Sequence, residues 1–314
     1  MSEFQIYIFI FIVSVILLNT NIKLWSSQAA TYQSNLNVIE HLTKHSTKPK
    51  NYRRTPENYQ SFGYSVNAKI VQEDVLLDYK FPLVDDAEST FSIKLHPLNV
   101  SSVVSVFGCH HSCFAPIDAD HFKLQSVDPD FLKKNMNKDG FYFNHFDSKG
   151  YGINYDDVIE NSKALSSRIA TFIVSELKAK GKDNYVSRVR AALNFVQCIP
   201  YGVPTFDHED YTYFGFSIPY ESFAISYSDC DSKSVFFAGI LHHLIDPKNI
   251  ILVSCVIEEG GHMIAGVSDL PFTGQFIRYN AKDYLLLETT VPIPLEMQPS
   301  NKFLEVEVYK INLA

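Results

Sequence analysis

Apolar residues are distributed along this 314-residue chain in three ways, and each predicts a different kind of element. Residues 6–18 are apolar at every position except Ser14, with almost no flanking charge. A bilayer-spanning helix needs roughly 17–25 apolar residues, so this run spans only if 19–25 completes it. Residues 1–25 therefore read as a membrane anchor or a signal segment, with SSQAA near Ala29 as the candidate cleavage site. Residues 26–61 turn polar and read as a linker. From 62 to 125 the runs YSVNAKIV, VLLDYKFPLV, FSIKLHPL and VSSVVSVFGC are rich in β-branched and aromatic residues, which predicts short strands and a β-rich subdomain.

From 126 to 314 helical spacing appears first. NYDDVIENSKALSSRIATFIVSELKAKGK places Val158, Leu165, Ile169, Phe172, Ile173 and Leu177 near one helical face, with Asn154 as N-cap. A second helix, YVSRVRAALNFVQ, carries Val186, Val189, Leu193 and Val196 and is stopped by Pro200 and Gly202. A third occupies the apolar run 232–244, capped by Ser228 or Asp229. Three strand-like runs follow, NIILVSCVI, HMIAGVS and YLLLETT. The pattern as a whole is α+β.

Charge and cysteine content narrow the function classes. The first 60 residues hold six basic and three acidic side chains, so a net charge of -8 leaves the rest of the chain at -11. An acidic body excludes nucleic-acid binding, which needs a basic footprint. Five cysteines in a chain of this length make no disulfide scaffold, and the odd count leaves at least one thiol without an internal partner. Lys23, on the C-terminal side of the apolar run, by itself favours a cytoplasmic body.

The thiol that draws attention is Cys230, in SYSDCDSKSVFFAGILHHL. A cap at Ser228 or Asp229 sets it in the first turn of a helix, where backbone N–H groups and the helix dipole are expected to lower its pKa. His262 opens one of the following strands and Glu288 ends another. Antiparallel strands packed on the Cys230 helix can bring the three together as nucleophile, general base and orienting carboxylate. Cys255, inside IILVSCVI, reads as an inert buried thiol, and Cys198 is open to either reading. His242 and His243, late in the helix, suit its dipole and read as structural. His208 and Asp210 fall in a predicted loop beside the cleft.

The span from about 185 to 290 resembles the transglutaminase-like branch of the papain-fold cysteine protease superfamily, in its bacterial and archaeal versions. The residues that carry the likeness are NFVQCIPYGVP, the Pro-Tyr-Glu step at Pro219, DCDSKS, GGHMIAGVS and LLLETT, in that order. The resemblance implies a papain-like domain with Cys230, His262 and Glu288 as its triad and no cofactor. It further implies Gln197 as the side chain lining the oxyanion site, beside the Cys230 backbone N–H. Family members commonly have Gly before the Asp-Cys pair, an acidic residue two after the Cys and Asp in the triad; here Ser228, Ser232 and Glu288 stand instead. Such domains are often exported, which moves the expected location of the body outside the cytoplasm. The expected function is a membrane-associated cysteine peptidase or amidase acting on a protein or peptide. The alternatives are a crosslinking transglutaminase and a non-catalytic interaction module on the same fold.

Two further motifs carry possible chemistry. GCHHSCF offers Cys109, His110, His111 and Cys113 as capable metal ligands, with Cys109, His111 and Cys113 the candidates. As a strand it holds its two cysteines about 13 Å apart, too far for a disulfide; as a turn it permits a disulfide or a metal. NMNKDGFYFNHF begins like a calcium loop but has Phe146 where the bidentate Glu belongs, and reads as a polar turn.

Overall fold

The computed structural model describes residues 41, 65–84, 87–100, 115–118, 123–124, 155–199, 201–202, 205–208, 211–214, 216–224, 228–257, 260–298 and 302–311. The apolar segment 6–18, nearly all of the linker, the Cys109–His111–Cys113 motif, the calcium-loop-like stretch and Asp210 lie outside these residues. Among the described residues no helix is long and apolar enough to cross a membrane. Among them, too, no group of three or more His, Cys, Asp and Glu side chains is placed to hold a metal ion.

The protein is mixed α+β with antiparallel sheets. Strands β1 (Ser65–Val71), β2 (Asp74–Val84) and β3 (Ala87–Leu95) form one meander. Alternation along β2 turns Val75, Leu77, Tyr79, Phe81 and Leu83 inward, as a period of two requires. The run FSIKLHPL leaves the sheet at Leu95: Pro97 opens a helical turn over 97–100, where a missing N–H costs nothing, so the strand expected to begin at Val100 starts as helix.

One long helix was expected from Asn154 to about Gly181; the structure has two, α1 (Tyr155–Asn161) and α2 (Lys163–Ala179). The break has a local cause. The Asn161 side-chain amide donates to Asp157 O at 2.8 Å, taking up a carbonyl of the preceding turn, and Ser162 adopts a non-helical bend. Helix α3 (Tyr185–Gln197) is capped by Asn184, whose side chain accepts from Ser187 N at 3.0 Å. It packs on β2, where Tyr79 donates to Phe195 O and the two rings lie 4.3 Å apart. The meander and the helices thus share one hydrophobic core.

Strands β4 (Ala115–Asp118), β5 (Lys123–Leu124), β6 (Thr205–His208) and β7 (Tyr211–Phe214) make a four-stranded sheet ordered β5-β4-β7-β6. His208 therefore ends a hairpin strand rather than sitting in a loop. After the short helix α4 (Pro219–Ala224) comes α5 (Cys230–His242), the centre of the molecule: every residue from Ser232 to Leu241 is buried. A helix apolar on all faces must be surrounded, and α5 packs against α1, α2, α3 and α4 on one side and the main sheet on the other.

That sheet runs β10-β11-β9-β8-β12, all antiparallel. Its predicted members are β8 (Ile250–Ile257), β9 (Gly260–Ser268) and β11 (Lys282–Leu287). The two edges, β10 (Phe276–Tyr279) and β12 (Glu305–Lys310), have mostly exposed or half-exposed side chains and gave no apolar run to detect.

Candidate active site

Helix α5 begins at Cys230. Asp229 is its N-cap, with extended backbone and a carboxylate that accepts from Ser232 N at 3.3 Å. The register against the sheet is fixed one turn further on. Ser234 Oγ donates to Met263 O at 3.1 Å and lies 3.0 Å from Thr289 Oγ1. Met263 follows His262 in β9 and Thr289 follows Glu288 at the end of β11, so the helix rests directly on both neighbours. The Met263 backbone N–H, in turn, faces the Cys230 sulfur.

His262 Nε2 and Glu288 Oε2 are 2.8 Å apart, and both side chains are almost buried. The other carboxylate oxygen accepts from Thr290 N at 2.8 Å and Thr290 Oγ1 at 2.6 Å. Burial pushes the Glu288 carboxyl up, but the His262 bond and charge together with the two Thr290 donors outweigh it, and the net direction is down. The main chain of Glu288 is held as firmly: its N–H donates to Gln298 Oε1 at 2.6 Å, and its carbonyl accepts from Gln197 Nε2 at 2.8 Å.

The Gln197 side chain, which the resemblance implies as an oxyanion donor, is engaged with backbone carbonyls. Its amide nitrogen also donates to Ile293 O at 3.0 Å, so both N–H bonds are used on backbone carbonyls. It positions Glu288. A cavity of about 410 Å³ lies behind it, lined by Arg190, Asn194, Gln197, Pro292, Ile293 and Glu296, and the Gln197 amide stands between this cavity and the main-chain carbonyl of Glu288.

The expected lowering of the Cys230 pKa is reversed. Burial comes first, and the charges of Asp231 and Asp229 add to it; the N–H groups of Met263 and Asp231 oppose them, and the thiol ends well above its usual range. The helix terminus that favours a thiolate also carries the two carboxylates that repel it. Asp229 is itself pushed well up, by burial and then by the charge of Asp231. Cys255 pairs with His262 across β8 and β9, and burial and Glu288 raise its thiol to about 11. Burial raises Cys198 to about 12 against the charge of Lys233. His242 and His243 are not dipole-matched cations: partial burial lowers both.

The two seryl departures from the family pattern are absorbed by local bonds. Ser228 Oγ is 2.9 Å from Ser222 Oγ, and Ser232 Oγ accepts from Ser217 N at 2.8 Å. Glu221, of the Pro-Tyr-Glu step, is fully buried and accepts from Ile218 N at 3.1 Å.

Four residues of the site were not singled out from sequence. Thr290 and Gln298 hold Glu288 as described. Tyr201 bridges to Ser228, and burial, followed by the charges of Cys230, Asp229, Asp231 and Glu288, raises its phenol. Lys233 is fully buried in α5. Its signal was visible, since DCDSKSVFFAGIL sets one lysine at the head of an otherwise apolar helix.

Comparison of the chain with protein-family models, with curated proteins and with solved structures finds no match. The chemistry of the site therefore rests on its own geometry.

Proposed function

We propose that the protein is a thiol acyl-transfer enzyme of papain-like, transglutaminase-like organisation that hydrolyses an amide in a protein or peptide. The observation that carries this reading is the 2.8 Å His262–Glu288 bond, set in β9 and at the end of β11 directly under the helix that begins at Cys230. With Nε2 committed to Glu288, His262 Nδ1 is the nitrogen that takes the Cys230 proton. The sulfur attacks the substrate carbonyl carbon as the proton moves. The oxyanion is met by the Cys230 backbone N–H, which at the first helical position has no intrahelical acceptor. Collapse breaks the C–N bond, the imidazolium protonates the departing amine, and a thioester remains on Cys230. Water, deprotonated by His262, then attacks the thioester, releasing the acid and restoring the thiol. Residues 1–25 tether this body to a membrane with the site outside the cytoplasm.

One observation favours a second reading, a non-catalytic module on the same scaffold: Cys230 is pushed away from ionisation by burial and by Asp231 and Asp229. The two readings part on one experiment. Full-length protein is treated with p-nitrophenyl acetate and the acyl adduct on each cysteine is followed by mass spectrometry, with His262→Ala alongside. A catalytic site acylates Cys230 fastest of all the cysteines, slows by roughly 10²–10⁴-fold in the variant, and releases acetate labelled by heavy-oxygen water. Equal acylation of Cys230 with and without His262 establishes the module.

A further inference from the structure

Lys233 lies three residues after Cys230 and has no exposed surface. Its Nζ reaches three main-chain carbonyls: Ile199 O, Thr290 O at 3.1 Å and Gln197 O at 3.4 Å. An ammonium has three donors and no acceptor, so three carbonyls match it and leave no lone pair to satisfy. The carbonyls belong to two segments, the end of α3 and the stretch after β11. The same two segments hold Glu288: Gln197 binds its carbonyl through the side-chain amide, and Thr290 binds its carboxylate twice.

We infer that Lys233 is the positioning residue of this site: its ammonium ties both Glu288-holding segments to the Cys230 helix and so fixes where Glu288 aims His262. The consequence for catalysis rests on the thiol reading given above; the geometry of the clamp does not. Two titratable groups face Lys233 from neighbouring elements, Glu288 from the stretch after β11 and Cys198 from the end of α3. Burial has raised the Cys198 thiol, so Glu288 is the charge that keeps the proton on the lysine. Burial otherwise dominates and brings the Lys233 pKa down to about 7. A neutral amine donates only two hydrogen bonds and turns a lone pair on the third carbonyl. The clamp is then expected to loosen as pH rises through that value.

The test uses full-length protein labelled with ¹⁵N-histidine. It reads the low-field Nε2–H resonance of His262 and, separately, the limiting rate at which p-nitrophenyl acetate acylates Cys230. In Lys233→Met with native near-ultraviolet circular dichroism, the resonance is expected to disappear and the limiting rate to fall at least tenfold, with half-saturation by the ester little changed. Wild-type protein supplies a second arm that needs no folded variant: raising the pH through the Lys233 titration, followed at its ¹³Cε, is expected to weaken the resonance and bend the rate profile downward. An unchanged resonance in Lys233→Met, or in wild type across the titration, overturns the inference. If instead wild-type Cys230 acylates without help from His262, the thiol reading fails on its own, and the resonance still decides the role of Lys233.

Discussion

Asp229 and Glu288 are both nearly buried carboxyls beside the helix that begins at Cys230, yet their ionisation is driven in opposite directions. Burial raises each. At Glu288 it is outweighed by the His262 bond and charge and by two donors from Thr290. At Asp229 it is reinforced by Asp231, against the side chain and the backbone N–H of Ser232. The sheet side of the site holds an anion against the His262 ring, while the helix side resists any further negative charge. Burial and both aspartates thus hold the Cys230 thiol above its usual range, and under the function proposed above its thiolate would form as the proton passes to His262, with Glu288 stabilising the resulting cation.

The strongest way to break this contrast is Glu288→Gln. The amide cannot balance an imidazolium, and it places a donor or an uncharged acceptor where His262 Nε2–H needs a carboxylate. Acylation of Cys230 by p-nitrophenyl acetate should fall by roughly 10²–10⁴-fold. The same variant checks the sign of the stability linkage. Because the folded pKa of Glu288 is depressed, its contribution is present above the unfolded value of about 4.3 and is lost as pH falls through the folded one. Urea midpoints of wild type should therefore drop in acid more steeply than those of Glu288→Gln. Parallel pH profiles for the two proteins would show that the His262–Glu288 pair does not set this dependence.

Asp231→Asn sharpens the contrast from the other side. Asp231 is the leading charge acting on Cys230, and an asparagine keeps the oxygen that accepts from Ser232 N at 2.8 Å. Removing the charge should move the pH midpoint of Cys230 alkylation by iodoacetamide down. Iodoacetate, an anion, should react more slowly than iodoacetamide in wild type, and the variant should narrow that difference. An unmoved midpoint would leave burial and Asp229 as the causes of the raised thiol.

How much of this was legible in the sequence differs between the two sides. Cap, helix and the three core strands were readable because their residues alternate or recur with the period of the element that buries them; Asp229 and Cys230 sit where the pattern turns from polar to apolar. The long helix was misjudged because a side-chain bond from Asn161 overrides the apolar spacing. The edge strands β10 and β12 bury too little to leave a pattern. At the site, residue types were legible and their electrostatics were not. A helix N-terminus by itself predicts a lowered thiol pKa, but the two neighbouring aspartates act through burial and distance, which only the folded chain supplies. Gln197 drew notice for its place at the end of α3, but its hydrogen-bond partners, the carbonyls of Glu288 and Ile293, lie 91 and 96 residues further along the chain and were not legible locally.

Asp229→Asn tests the helix side with a stability readout. An asparagine caps a helix about as well as an aspartate, and it removes a buried carboxyl whose folded pKa is raised. Such a group binds its proton more tightly folded than unfolded, so stability is lost as pH rises above the unfolded value of about 3.9 toward the folded one. Relative to wild type, Asp229→Asn should become more stable as pH rises from acid to neutral, read from urea denaturation at each pH.

The smallest effect is expected at Ser228, the residue that leads into the helix side. Ser228→Gly restores the residue common in the resembled family and removes one neutral bond, that to Ser222, whose hydroxyl keeps a second partner in Ser217 O at 3.3 Å. The main-chain contact that shapes the entrance, Gly202 N to Ser228 O at 3.1 Å, does not depend on the side chain. The cost should be about 1 kcal/mol, from the lost hydrogen bond and the greater freedom of glycine in the unfolded chain, with the rate of Cys230 acylation unchanged. A rate loss of tenfold or more would mean that the hydroxyl pair, and not the backbone bridge between Tyr201 and Ser228, sets the angle at which Cys230 meets His262. The helix side would then be constrained by side chains in the same way as the sheet side, and the contrast between them would be one of charge alone.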